Sequence, residues 1–130
     1  MRPPTGNRIV DLSFQFSIMA LEYCDMLIER RKFTVAQQLS RCATSIGANI
    51  AEAQSSESLA DFVHKMKIAD KEARETEYWL DICKYANGYD LYDELVRVEQ
   101  EIARLLTSII ASGKEKIRKQ KVLKINSIAT

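Results

Sequence analysis

Apolar positions recur at alternating three- and four-residue steps through four stretches of the chain, and that spacing predicts four helices. The third stretch is the most regular: Leu59, Phe62, Met66, Ala69, Ala73, Thr76, Leu80 and Cys83 keep the rhythm without a break over about seven turns. Ser58 with Asp61 three residues on makes a capping-box-like start, and Asn87-Gly88 suits a left-handed end. Beyond it Asp90 can cap a fourth helix whose seam runs Leu91, Leu95, Val98, Ile102, Leu105 and Ile109, with Gly113 a place for it to fray. The second helix starts at the T-x-x-Q pair Thr34 and Gln37 and carries Val35, Leu39, Cys42, Ile46, Ile50 and Ala53 on one face. Gly47 inside it costs about 1 kcal/mol relative to Ala, which points to a bend or, as the favoured reading, to close approach of another backbone.

The first helix carries two apolar rows. Leu12, Phe16, Met19, Tyr23 and Met26 form one, and Phe14, Ile18, Leu21 and Ile28 form a second, nearly opposite. A helix in a lone bundle buries one side, so the second row implies either a neighbouring subunit or an elongated cap over the bundle; the favoured expectation is a homo-oligomer with Phe14, Ile18, Leu21 and Ile28 at the subunit contact. Connections of about three to five residues force each helix antiparallel to its predecessor. The expected architecture is all-α: an up-down-up-down antiparallel four-helix bundle over 9–113, between a flexible N-terminal arm, 1–8, and a basic C-terminal tail, 114–130.

Composition narrows the class. Hydrophobic residues make up 46% of the 130, with only four Gly and two Pro, which excludes disordered and collagen-like chains. No apolar run reaches the roughly 18 residues of a membrane helix, and the start Met-Arg-Pro-Pro-Thr-Gly-Asn-Arg has no signal-peptide stretch, so a cytoplasmic protein without a membrane partner is expected. Cys24, Cys42 and Cys83 are odd in number and widely spaced, which argues against a disulfide framework and a zinc site. The single histidine, His64, gives a two-metal carboxylate site only one of its two Glu/Asp-x-x-His elements. No phosphate-binding glycine loop, nucleophile elbow or dinucleotide fingerprint occurs. The reading is of no enzyme, no metal and no cofactor.

Charge is uneven although the net value is +1. Residues 114–124 carry Lys114, Lys116, Arg118, Lys119, Lys121 and Lys124 against Glu115, a local +5, while the rest holds 13 basic and 17 acidic side chains. Such a segment is drawn to phosphate backbones. From charge alone the favoured reading is a solubilising, partly disordered end, or the last turns of the fourth helix with snorkelling lysines.

Polar order also runs through the middle helices. Arg41, Ser45, Asn49 and Glu52 line one stripe of the second helix, and Glu72 and Glu75 share a face of the third with Trp79. The expectation is a partly buried network in which Arg41 meets the third helix's carboxylates while Ser45 and Asn49 satisfy nearby partners; a ligand or metal site on those carboxylates is the alternative.

The run Gln38-Leu39-Ser40-Arg41-Cys42-Ala43-Thr44-Ser45-Ile46-Gly47-Ala48-Asn49-Ile50-Ala51-Glu52-Ala53, followed by Asp61-Phe62 and by Ile68 to Leu80, resembles the four-helix-bundle family named after the 23S ribosomal RNA intervening-sequence protein. The likeness covers roughly 12 to 112. It implies a non-enzymatic bundle that assembles into a ring, typically a pentamer. The chain is also similar to the accessory variability protein of diversity-generating retroelements, a basic pentamer that binds a reverse transcriptase and nucleic acid. By position, Arg41, Ser45, Asn49, Ala51 and Glu52 match the second-helix motif, and Glu72, Glu75, Thr76, Trp79 and Leu80 the third. Two functions follow as expectations: an RNA- or DNA-associated accessory or scaffold whose residues 114–124 touch phosphate, or an adaptor that binds a protein partner such as a polymerase.

Overall fold

The structure, a computed structural model, describes residues 2–129. Four helices follow in order: α1 (Arg8–Glu29), α2 (Phe33–Ala53), α3 (Leu59–Tyr85) and α4 (Asp93–Ala129). Each packs on its chain neighbours and α4 closes on α1, with no diagonal pairing among the described residues. The connections 30–32, 54–58 and 86–92 turn the chain back each time, giving the up-down-up-down bundle. Met1 and Thr130, the outermost residues of the expected arm and tail, lie outside the described residues.

The apolar stripes meet in one core, with Phe16, Leu27, Leu39, Ile46, Ile50, Met66, Leu95, Ile102 and Leu106 fully buried. All six expected positions of α2 are inside. On α4 the centre of the stripe falls on Leu106 and Ile110, while Leu105 and Ile109 are half-buried flanks, because a 3.6-residue period passes between the two rows. On α1, Ala20, Cys24 and Leu27 join Leu12, Phe16 and Tyr23 inside, and Met19 and Met26 are flanks. At the start of α3, Val63 takes the core place, with Leu59 and Phe62 at its edge.

Two helix starts differ from expectation. The Ser58 hydroxyl does accept from the Asp61 N–H at 3.0 Å. Thr34, by contrast, lies inside the first turn of α2, which follows Lys32 with no side-chain cap. The reason is the tight end of α1: Lys32 N–H reaches the Leu27 carbonyl at 2.8 Å and Arg31 N–H the Ile28 carbonyl at 2.9 Å around a left-handed Arg31, a Schellman turn that delivers the chain directly into α2. Asp90 does not cap α4, which begins at Asp93. Asp90 is left-handed, and its carboxylate accepts from Arg30, whose guanidinium also donates to the Gly88 carbonyl at 3.1 Å. The Tyr23 hydroxyl donates to the Tyr89 carbonyl at 2.6 Å, so α1 and its C-terminal turn hold the 86–92 loop.

Both helical glycines mark close approaches. A Cβ on Gly47 would sit 3.1 Å from Ser17 Oγ and 3.3 Å from the Ser13 carbonyl oxygen, which puts the α1 backbone against α2. Gly113, expected to fray the fourth helix, is buried instead, and α4 runs on to Ala129. A Cβ there would collide with Cγ2 of Val63. Val63 is β-branched and stiff about χ1, so it cannot swing aside. Gly113→Ala gains up to about 1 kcal/mol of helix propensity but overpacks the α3–α4 contact, at a cost of about 1–3 kcal/mol. Thermal melts should show a net loss of about 1 kcal/mol that turns into a gain in a Val63→Ala background; a higher melting point with Val63 intact would contradict the tight contact.

Candidate functional site

The basic segment is the end of α4 and not a separate tail, because nothing interrupts its backbone hydrogen bonding after Gly113. Lys114, Lys116, Arg118, Lys119, Lys121 and Lys124 are all exposed, and from Arg118 to Ala129 every residue is exposed. At 1.5 Å per residue those last twelve residues carry the helix about 18 Å past its neighbours. With about 100° between successive residues, Lys114, Arg118 and Lys121 lie on one side and Lys116 and Lys119 on the other, so the cations ring the helix. Arg118 forks onto Glu115, with Nε to Oε2 at 3.1 Å and Nη2 to Oε1 at 2.6 Å. That guanidinium holds the Glu115 carboxyl below its usual range. Lys114, Lys116, Lys121 and Lys124 form no ion pair among the described residues.

The second-helix motif makes a partly buried seam with α3, in which Ser45, Asn49, Glu72, Glu75 and Trp79 are half-buried and Arg41 and Glu52 are exposed. Arg41 is half-exposed and donates to Glu72 Oε2 at 3.5 Å, to Gln38 Oε1 at 3.3 Å and to Glu75 Oε2. The same Glu75 oxygen accepts from Trp79 Nε1 at 3.2 Å, so one carboxylate joins α2 to the third-helix motif. Asn49 Nδ2 donates to the Ser45 carbonyl at 2.8 Å and to Ser45 Oγ at 3.1 Å, a link that stays inside α2. Glu52 is exposed and stands apart from these contacts. The seam aligns two helices; an exposed pair of this kind contributes about 0–1 kcal/mol.

The second apolar row of α1 is left partly exposed by the rest of the chain. Phe14, Ile18, Leu21 and Ile28 are between 37% and 49% exposed on the outer face. The N-terminal arm folds against one end of this row: Thr5 donates through its N–H at 3.0 Å and its hydroxyl at 2.8 Å to Asp11, and the Arg2 guanidinium lies 3.5 Å above the Phe14 ring. Thr5 thereby holds the Asp11 carboxyl below its usual range. Between arm and helix lies a groove of about 440 Å³ lined by Pro3, Pro4, Phe14, Ile18 and Met19. The three cysteines are buried thiols; burial pushes Cys24 up to about 12, far from the thiolate needed for nucleophilic or metal chemistry. His64 is exposed on α3.

Glu99 escaped the sequence reading. It is 1% exposed, and its Oε1 has no hydrogen-bond partner among the described residues. It borders a small cavity of about 80 Å³ with Glu77, Leu80, Asp81 and Lys84 of α3. Burial pushes its carboxyl from the ordinary 4.5 up to about 7, and the charges of Glu77 and Asp81 add to the effect. The signal was present: Glu99 stands four residues after Leu95 and three before Ile102, in the middle of the core row.

The chain matches the family model of the 23S rRNA-intervening sequence protein over residues 6–111. It is also similar to a crystal structure from Bacteroides thetaiotaomicron of a protein with unknown function from the S23 ribosomal protein family. The two are 39% identical with a TM-score of 0.70, over 78% of this chain and 97% of that one. No curated protein matches. The family match takes in the Arg41 seam and Glu99 and stops before the basic part of α4.

Glu99 makes stability depend on pH. Its folded value is raised, so its contribution is fully present below about pH 4.5 and is lost as pH rises through about 7. Two and a half units at about 1.36 kcal/mol each make the expected loss about 3 kcal/mol. Denaturant titrations at several pH values should show that slope in the wild type and its removal in Glu99→Gln; the same slope in both would refute the assignment.

Proposed function

The chain belongs to the 23S rRNA-intervening sequence protein family, and from that premise we propose that it is a non-enzymatic, self-assembling four-helix bundle that serves as an RNA- or DNA-associated accessory or scaffold. The observation that carries this reading is the exposed helical extension with its six cations and single acid. Lysines free of ion pairs can replace the counterions condensed on a phosphate backbone, and the release of those ions drives binding whatever the base sequence. Cations on every side of the helix suit a backbone approached from more than one direction. Self-assembly rests on the outer row of α1, whose four large apolar side chains stay partly exposed to water in the single chain. A ring, of five copies as the resemblance implies, would present several extensions to one nucleic acid and multiply a weak individual affinity.

The groove beside Phe14 favours a second reading, an adaptor that seats a protein partner such as a polymerase. Fluorescence anisotropy with structured RNA and with duplex DNA, at low and near-physiological salt, separates the two. The proposal expects binding that weakens linearly on a log–log salt plot. Replacing Lys116, Arg118, Lys119 and Lys121 together with Ala should flatten the duplex slope by up to about 3.6 and lower affinity at least tenfold. Binding indifferent to those four changes, or none even at low salt, would transfer the case to the adaptor.

A further inference from the structure

Two surfaces of this chain complement each other and are both left exposed within one copy. The outer face of α1 sets Phe14, Ile18, Leu21 and Ile28 among Glu22, Asp25 and Glu29; α1 itself supplies no cation there, and Arg2 of the arm stands over the Phe14 end of the row. The α4 extension sets Val122, Ile125 and Ile128, three residues apart on one side and 43% to 77% exposed, on a segment of charge +5. One surface is apolar with acidic flanks and the other apolar with basic flanks, the pairing that steers and registers a specific contact. The extension leaves the bundle as a continuous helix, so it points away from its own α1 flank.

We propose that the α4 extension of one copy lies along the outer face of α1 in a second copy, with Ile125 and Ile128 entering the groove between Pro3, Pro4 and Phe14. The inference rests on the self-assembly reading above and names the parts that meet. The contact is head-to-tail: each copy gives an extension and receives one, so the chain of contacts ends only by closing into a ring. Lys116 and Lys119 lie on the side of the extension opposite Ile125, so they stay free for phosphate after docking.

The test uses full-length chains. The native cysteines are buried, so a short bismaleimide meets only introduced thiols. Mixing Ile18→Cys with Ile125→Cys should give an intermolecular cross-linked product, several-fold more than Ile18→Cys mixed with Lys116→Cys, whose thiol faces away. Equal yields, or no product, would overturn the inference. In parallel, changing Val122, Ile125 and Ile128 to Gln keeps helix propensity and charge and should reduce the light-scattering mass to that of one chain. An unchanged oligomeric mass would overturn the docking while leaving assembly intact. A wild-type monomer would overturn both.

Discussion

A helix of 37 residues cannot be covered along its length by neighbours of 22 and 27. That mismatch in length governs the molecule. Where α4 has partners its inner row is Leu95, Val98, Ile102, Leu106 and Ile110, and the last fully buried position is Gly113 against Val63, one turn from the start of α3. Ile117 still touches the core one turn on; from Arg118 no helix remains to receive an apolar row, and every side chain through Ala129 is exposed. The change from core to charge is therefore set by where α3 begins, not by any break in α4.

Within the covered region the polar side chains fall into three kinds. Ser13 and Thr76 are buried but donate to carbonyls of their own helices, Val10 at 3.2 Å and Glu72 at 2.8 Å, so they disturb no packing. Arg41, Glu72, Glu75 and Trp79 tie α2 to α3 at the water-exposed edge, where ion pairs are weak but the alignment of donors is specific. Among the described residues Glu99 alone places a carboxyl in the core without a partner for one of its oxygens. Its charged form opposes folding at neutral pH, so the same residue makes the fold tolerant of acid and less secure above neutrality.

The sequence made the four helices legible because each core stripe repeats over many turns, and a period sampled that often survives local exceptions. The Ser58 cap and the close approach at Gly47 were legible for the same reason: their signals lie within a few residues. Long-range partners were not. Gly113 reads as a breaker until Val63, fifty positions away in the chain, is seen to need its space. Asp90 reads as a cap until Arg30 draws its carboxylate toward the other corner of the bundle. Glu99 was hidden by its type, since a carboxylate is read as surface even on a core row. Of the candidate site, the identity of the six cations was plain from charge counting, whereas their arrangement around one unbroken helix depended on packing upstream.

The extension's helix has a different thermodynamic origin from the rest of α4. An isolated segment of that length would be marginal in water because its first turn is costly to nucleate. Here the bundle supplies a formed turn at Gly113, so each later residue needs only propagation. Propagation is opposed by like charges three or four residues apart, Lys114 with Arg118 and Lys121 with Lys124, and relieved at one place by Glu115. An anion laid along those lysines, as the proposed phosphate contact requires, would cancel the repulsion and steady the helix in the same step. The helix–coil equilibrium of the extension would then be linked to occupancy, and its backbone order would gauge that occupancy.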